Sequence, residues 1–210
     1  MKNLDLSLYL VTDGSIIGNK SFEFIIEEAI KGGVSIVQLR EKELPTRDFL
    51  KKAFLLKELS LKYNVPLLIN DRIDIAIACD ADGVHIGQSD MPYEHARKLL
   101  GKDKIIGLSI ESFEEAQEAQ KFDLDYIAIS PVFSTPTKQN TKIEFGIEGI
   151  KKICSLTQHK TVAIGGINLD NVNEIVSAGV DGICVVSAIM CAENPYLAAI
   201  EFKSQILEAK

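Results

Sequence analysis

Two aspartates raise the first chemical question. Asp71 follows the apolar run 65–70 and Asp90 follows 83–88, each where an apolar segment turns polar. Ends of neighbouring strands lie ~5 Å apart, so two such carboxylates can converge on one ion. Magnesium takes one or two carboxylates and fills its shell with waters and substrate phosphates. Each residue alone has a plainer use. Asp71 could pair with Arg72 or Arg40, and Asp90, just before Met91-Pro92, could cap a helix. Both together at strand ends favour a magnesium site.

A second group is cationic. In Gln38-Leu39-Arg40-Glu41-Lys42, alternation puts Ile36, Gln38 and Arg40 on one face and Val37 and Leu39 on the other. Buried polar side chains need partners. For Arg40 an internal ion pair and a ligand contact are equally open, whereas Gln38 and Lys42 point to a ligand. A third group suits an anion. Gly165-Gly166 and Val186-Ser187 close two late apolar runs, where backbone amides and a helix start can hold a phosphate. Gly166 has no Cβ to obstruct that approach. A plain tight turn would also use Gly-Gly. Finally, the loop 134–146 is long and polar and carries Thr135, Pro136, Thr137 and Lys138. Such loops are often lids, and a lysine over a diphosphate would neutralise a leaving group. No serine or cysteine has an evident histidine partner, so nucleophilic catalysis is not favoured.

These residues need elements to position them. Apolar runs at 6–12, 34–40, 65–70, 83–88, 105–110, 126–133, 161–167 and 182–189 read as strands. Helical patterns lie between them at 21–32, 47–63, 73–79, 92–100, 111–120, 147–154, 170–178 and 195–208, with Ser21, Thr46 and Asp170 as candidate caps. Near-continuous apolar strands alternating with helices give a parallel sheet covered on both faces. Eight such units without a linker, over 1–210, predict a single α/β domain closed as a (β/α)8 TIM barrel. An open doubly wound sheet is the alternative. Ala81-Asp82-Gly83-Val84 is echoed by Val180-Asp181-Gly182-Ile183. The polar residues fall at strand C-terminal ends, where barrel active sites sit.

Composition narrows the class. Hydrophobic residues make up 46% and charged residues 25%, as in ordinary globular proteins. The net charge of −7 argues against nucleic acid as a partner. No run approaches the ~20 apolar residues of a membrane helix. The apolar run 6–11 is too short for a signal peptide, so a soluble cytoplasmic protein is expected. Cys79, Cys154, Cys184 and Cys191 lack ligand spacing and read as reduced, buried thiols. His85, His95 and His159 form no zinc motif. One phosphate site late in the chain and a magnesium-diphosphate site earlier suggest an enzyme with two phosphorylated substrates.

The segments Gln38–Lys42, Ile69–Arg72, Gly83–Asp90, Pro131–Lys138, Ala163–Ile167 and Val185–Ile189 together resemble the thiamine phosphate synthase family, in order and spacing over essentially the whole chain. The resemblance implies a transferase of thiamine biosynthesis. It would condense 4-amino-2-methyl-5-hydroxymethylpyrimidine diphosphate with 4-methyl-5-(2-phosphoethyl)thiazole into thiamine phosphate and pyrophosphate. The pyrimidine would ionise to a carbocation that the thiazole nitrogen captures. The resemblance also implies roles. Gln38, Arg40 and Lys42 would meet the diphosphate substrate, Asn70 and Ser109 the pyrimidine, and Lys138 the diphosphate. Lys138 and Ser109 would be catalytic. Asp71 and Asp90 would hold Mg2+. Thr135, Thr137, Gly166, Val186 and Ser187 would hold the thiazole phosphate. A homo-oligomer is left open.

One departure is Ser130-Pro131, where many members carry glycine before the proline. Three rivals remain: a thiazole tautomerase on the same fold, another barrel enzyme for a sugar or indole phosphate, and a non-catalytic thiazole phosphate-binding regulator. The tautomerase typically lacks the metal aspartates and the Thr-x-Thr-Lys loop, both present here.

Overall fold

Eight short segments of mostly branched, apolar residues form the strands β1 (Leu8–Val11), β2 (Ile36–Leu39), β3 (Leu67–Asn70), β4 (Gly83–Ile86), β5 (Ile105–Ile110), β6 (Tyr126–Ile129), β7 (Lys160–Ile164) and β8 (Gly182–Val185). In this computed structural model, which describes residues 4–134 and 144–210, they pair in parallel in chain order, and β8 closes on β1. The expected (β/α)8 barrel is therefore observed. The helices are α1 (Phe22–Lys31), α2 (Thr46–Tyr63), α3 (Ile73–Ala78), α4 (Tyr93–Leu100), α5 (Phe113–Ala119), α6 (Gly146–Leu156), α7 (Val172–Ser177), α8 (Ser187–Met190) and α9 (Pro195–Glu208). Among the described residues, no helix is long and apolar enough to cross a membrane.

Alternation along each strand divides the core in two. Val37, Leu39, Val84 and Ile86 pack outward against helix residues such as Phe49 and Phe202. Ile36, Leu68, Tyr9, Tyr126 and Val162 point inward and pack on one another. Each fully buried aliphatic side chain contributes ~1.5–3 kcal/mol relative to exposure.

The rim at the strand starts shows a fourfold regularity. The residue just before each even-numbered strand pairs with the preceding odd-numbered one. Ser35, Asp82, Asp125 and Asp181 each send their amide to the carbonyl of Leu8, Leu67, Ile106 and Thr161, at 2.8 to 3.1 Å. Each also takes that same residue's amide on its side chain, at 3.1, 2.9, 2.8 and 2.7 Å. The repeated Ala-Asp-Gly and Val-Asp-Gly turns are two of these four. Their glycines are needed, because a Cβ on Gly83 or Gly182 would run into the backbone of Ile105 or Leu6.

Several boundaries differ from expectation. Ser21 caps α1 as predicted, accepting from the Phe24 amide. Thr46 is instead the first residue of α2, after Pro45. Asp170 does not cap α7, whose preceding residue is Asn171. The apolar run 126–133 leaves the sheet at Ile129, because Pro131 has no amide for a ladder. The run 182–189 is really a strand and a short helix, α8, split at Val186. Of the four cysteines, all free, Cys79 and Cys184 are buried as expected, but Cys154 is only partly buried and Cys191 is exposed, against the expectation for both.

Candidate active site

A cavity of about 960 Å³ opens at the C-terminal ends of the strands. It collects Gln38, Arg40, Lys42, Asn70, Asp71, Asp90, Ser109, Gly166, Val186 and Ser187, ten of the thirteen residues expected to form the site. The other three, Thr135, Thr137 and Lys138, lie outside the described residues.

The carboxylates meet, as their strand-end positions predicted. Asp71 directly follows β3, and its amide continues the ladder to the His85 carbonyl at 2.9 Å. Its φ of +60° is left-handed, a conformation that aspartate tolerates better than most residues. Asp90 lies in the turn after β4 and takes the Gly87 amide at 2.7 Å. Burial pushes the Asp90 carboxyl up from its ordinary range. The neighbouring Asp71 carboxylate, within hydrogen-bonding reach, adds to the rise, and the Gly87 amide opposes it. Two crowded carboxylates that resist joint ionisation form an oxygen donor set suited to a hard cation. The plainer readings do not hold. Asp71 pairs with Lys42, at 2.6 Å, and Arg72 with Asp74 instead. Helix α4 begins after Pro92, so Asp90 caps nothing.

The cations are lightly tied. Arg40 Nη1 lies 3.8 Å from Asp13 Oδ2, and both side chains are partly exposed. The Lys42 side chain is half-exposed. Such pairs contribute little to stability, so either cation can be drawn to an anionic ligand at small cost. Gln38 differs. It is buried, and its amide nitrogen donates to Tyr9 Oη at 2.6 Å.

Sequence reasoning missed the inward-facing residues beneath the carboxylates. Tyr9, His85 and Tyr126 stand at alternate positions among Leu8, Leu10, Val84, Ile86 and Ile127, which face the helices. The alternation that turned Gln38 inward would have found all three. Tyr9 Oη lies 2.8 Å from Tyr126 Oη, and Tyr126 Oη lies 2.9 Å from His85 Nδ1. His85 Nε2 lies 2.8 Å from Ser109 Oγ. The expectation that no serine has a histidine partner is thus overturned. Residues 85 and 109 are far apart in sequence but sit on adjacent strands. Burial pushes both phenols well above their ordinary range, so they stay protonated.

At the opposite wall, Gly165 and Gly166 follow β7 with φ of +106° and +68°. A Cβ on Gly166 would lie 2.8 Å from Phe133 Cβ and 2.9 Å from the Ser134 carbonyl. The absent side chain therefore also makes room for the segment after β6. Val186 and Ser187 open α8, whose first amides have no partner within the helix.

Residues 8–189 match the family described as thiamine monophosphate synthase. The chain is 52% identical, over 95% of its length and 94% of the other's, to a thiamine-phosphate synthase of Methanobrevibacter smithii. It is 46% identical to that of Albidiferax ferrireducens, over 97% of this chain and 93% of that one. Among solved structures it superposes on thiamine phosphate pyrophosphorylase from Pyrococcus furiosus with a TM-score of 0.90 and 39% identity, over 98% of both chains. With its barrel, its strand-end cavity and these likenesses along nearly its full length, the chain belongs to the thiamine monophosphate synthase family, transferases of thiamine biosynthesis.

Proposed function

We propose that the chain, acting as one domain over 1–210, joins 4-amino-2-methyl-5-hydroxymethylpyrimidine diphosphate to 4-methyl-5-(2-phosphoethyl)thiazole. The observation that carries this reading is the convergence of Asp71, Asp90 and Lys42 on one side of a cavity whose other side is Gly166 and Ser187. One cavity with paired carboxylates at one end and Gly166 and Ser187 at the other suits two phosphorylated substrates held face to face.

Arg40, Lys42 and Gln38 would meet the diphosphate end. Asn70 and Ser109 would hold the pyrimidine. Thr135, Thr137, Gly166, Val186 and Ser187 would take the thiazole phosphate, and Lys138 would face the diphosphate. Asp71 and Asp90 would hold Mg2+, which when bound neutralises charge on the diphosphate. The bond from the pyrimidine methylene to the diphosphate oxygen breaks, and its electron pair leaves with pyrophosphate. The thiazole nitrogen then gives its lone pair to the carbocation and forms the new C–N bond. Holding two substrates in line contributes much of the rate in such a reaction. Lys42 and Arg40, drawn to the diphosphate, would favour the charge that develops on the leaving group. A cytoplasmic setting is part of this proposal.

The decisive experiment mixes both substrates with Mg2+ and measures pyrophosphate, with and without EDTA. Metal-dependent release in step with thiamine phosphate supports the reading. Isomerisation of a thiazole without metal would instead make the protein a tautomerase. Tight thiazole phosphate binding with no pyrophosphate would make it a regulator.

A further inference from the structure

The contact between His85 Nε2 and Ser109 Oγ has the distance of an activated serine, 2.8 Å. In such dyads the histidine takes the serine proton, and its other nitrogen donates to a carboxylate or carbonyl. Here the other nitrogen faces a phenol. The direction of each hydrogen bond can be settled by following the protons from the far end.

Gln38 Nε2 can only donate, and it donates to Tyr9 Oη. Among the described residues, Tyr9 Oη hydrogen-bonds Gln38 Nε2 and Tyr126 Oη alone. Tyr9 is fully buried, so its own hydrogen must find an acceptor, and Tyr126 Oη is the one in reach. Tyr126 Oη then accepts from Tyr9 and has its hydrogen left to give. Its remaining partner is His85 Nδ1, at 2.9 Å. Nδ1 is therefore an acceptor. The ring carries its hydrogen on Nε2 and donates it to Ser109 Oγ. Ser109 already accepts from His85, so its own hydrogen is turned to the cavity it lines. Packing holds the chain in place. Tyr9 and Tyr126 meet edge to face with ring centres 5.8 Å apart, and the His85 ring stacks on Tyr126 at 5.6 Å.

We propose that Gln38, Tyr9 and Tyr126 are positioning residues that fix the hydrogen of His85 on Nε2, so that Ser109 meets the pyrimidine diphosphate as a hydrogen-bond donor and not as a nucleophile. The substrate assignment rests on the function proposed above, whereas the direction of the chain does not. The order of donors runs Gln38, Tyr9, Tyr126, His85, Ser109, then an acceptor atom of the substrate. A histidine whose Nδ1 accepts from a phenol and whose Nε2 already bears a hydrogen cannot take the serine proton. The apparent dyad is thus wired against nucleophilic attack. This agrees with a reaction in which the attacking pair comes from the second substrate.

The test is nitrogen NMR of the full-length protein labelled with 15N-histidine, with the His85 signals assigned by their loss in His85→Asn. At neutral pH, without substrate, the wild type is expected to show Nε2 bearing hydrogen and Nδ1 bare. Hydrogen on Nδ1, or on both nitrogens, overturns the proposal, and this spectrum needs no folded variant beyond the assignment. In Tyr126→Phe the ring loses its donor, and the His85 signals should shift toward a mixture of tautomers. The kinetic arm compares Ser109→Ala, Tyr126→Phe and the double variant. Each single change should raise KM for the pyrimidine diphosphate about five- to tenfold, the loss of one neutral hydrogen bond. The double variant should be little worse than Ser109→Ala, since Tyr126 acts through Ser109. Fully multiplicative effects overturn the coupling. If the wild type forms no pyrophosphate, the proposed function fails while the tautomer result stands.

Discussion

Tyr126 occupies the space that a side chain at residue 107 would need: a Cβ on Gly107 would fall within the Tyr126 ring and against its hydroxyl. The two residues are register partners on β5 and β6. Gly107 thus exists so that an inward phenol can cross the barrel. Gly107→Ala should displace Tyr126 and destabilise the protein by ~1–3 kcal/mol, the usual range for overpacking. Urea denaturation measures the loss. KM for the pyrimidine diphosphate should rise with it, since the ring that orders His85 has moved. An unchanged midpoint and unchanged KM would show that the barrel has slack at this layer.

The carboxylate pair makes a prediction that separates stability from function. The Asp90 carboxyl lies above its ordinary range, so the folded state holds its proton more tightly than the unfolded chain. Its own contribution to stability is therefore full below the ordinary value of 3.8 and is lost as pH rises through the raised one. At neutral pH, without metal, Asp90→Asn should raise stability, by up to ~1 kcal/mol at this partly exposed site. The same change should weaken the response to Mg2+. In the wild type, Mg2+ should raise Tm by mass action on the folded state. Asp71→Asn should also weaken the response to Mg2+, while losing the ion pair with Lys42 and keeping its left-handed backbone. Differential scanning across Mg2+ concentrations checks all three. Equal metal shifts in wild type and both variants would remove the aspartates from the metal site.

Gly166 and Ser187 should differ in how they fail. Gly166→Val meets Phe133 and the Ser134 carbonyl at a φ of +68°, so it should disturb the segment after β6 as well as the nearby wall. Thiazole phosphate binding should be lost with a measurable fall in Tm. Ser187→Ala removes only a surface hydroxyl at a helix start and should cost ~1.5–3 kcal/mol of binding, one hydrogen bond to a charged group. Its Tm should hold. Calorimetric titration of each substrate distinguishes the two. The pyrimidine diphosphate should still bind Ser187→Ala, and its loss there would reverse the assignment of the two ends.

Far from the cavity, Glu27 of α1 takes hydrogen bonds from Lys62 at 2.7 Å and Tyr63 at 2.6 Å. These, the Lys62 ammonium foremost, hold its carboxyl down at about 2 against an ordinary 4.5. The folded pKa is depressed, so the contribution is full above 4.5 and fades as pH falls toward 2. Acid titration of stability should show this limb flattened in Glu27→Gln. An identical acid limb in that variant would mean that solvent screens the pair completely.

The barrel and most of the site were legible because both follow from periodicity. Apolar runs gave the strands, alternation turned Gln38 and Arg40 inward, and polar strand ends located Asp71 and Asp90. Alternation also held Tyr9, His85 and Tyr126, but an aromatic ring in an apolar run looks like core until its neighbours across the barrel are known. The Ser109–His85 contact depends on the register of β4 against β5, which no local pattern carries. Gly166 also has a packing role, against the segment after β6, that no local pattern in the sequence carries. The run 182–189 seemed one strand because α8 is a single turn of apolar residues, indistinguishable by hydrophobicity from a strand's end.

The side chains of Ser35, Asp82, Asp125 and Asp181 divide the barrel into four self-fastened quarters. Each quarter is a strand, a helix and the next strand, buckled at its base by a two-way bond between its two strands. The register of each strand pair is thus fastened at the end away from the cavity. Loops on the opposite rim can lengthen, shorten or change charge without loosening these buckles. Such a division of labour leaves the cavity rim free to vary, while a change such as Asp82→Ala should be felt as lost stability with the cavity untouched.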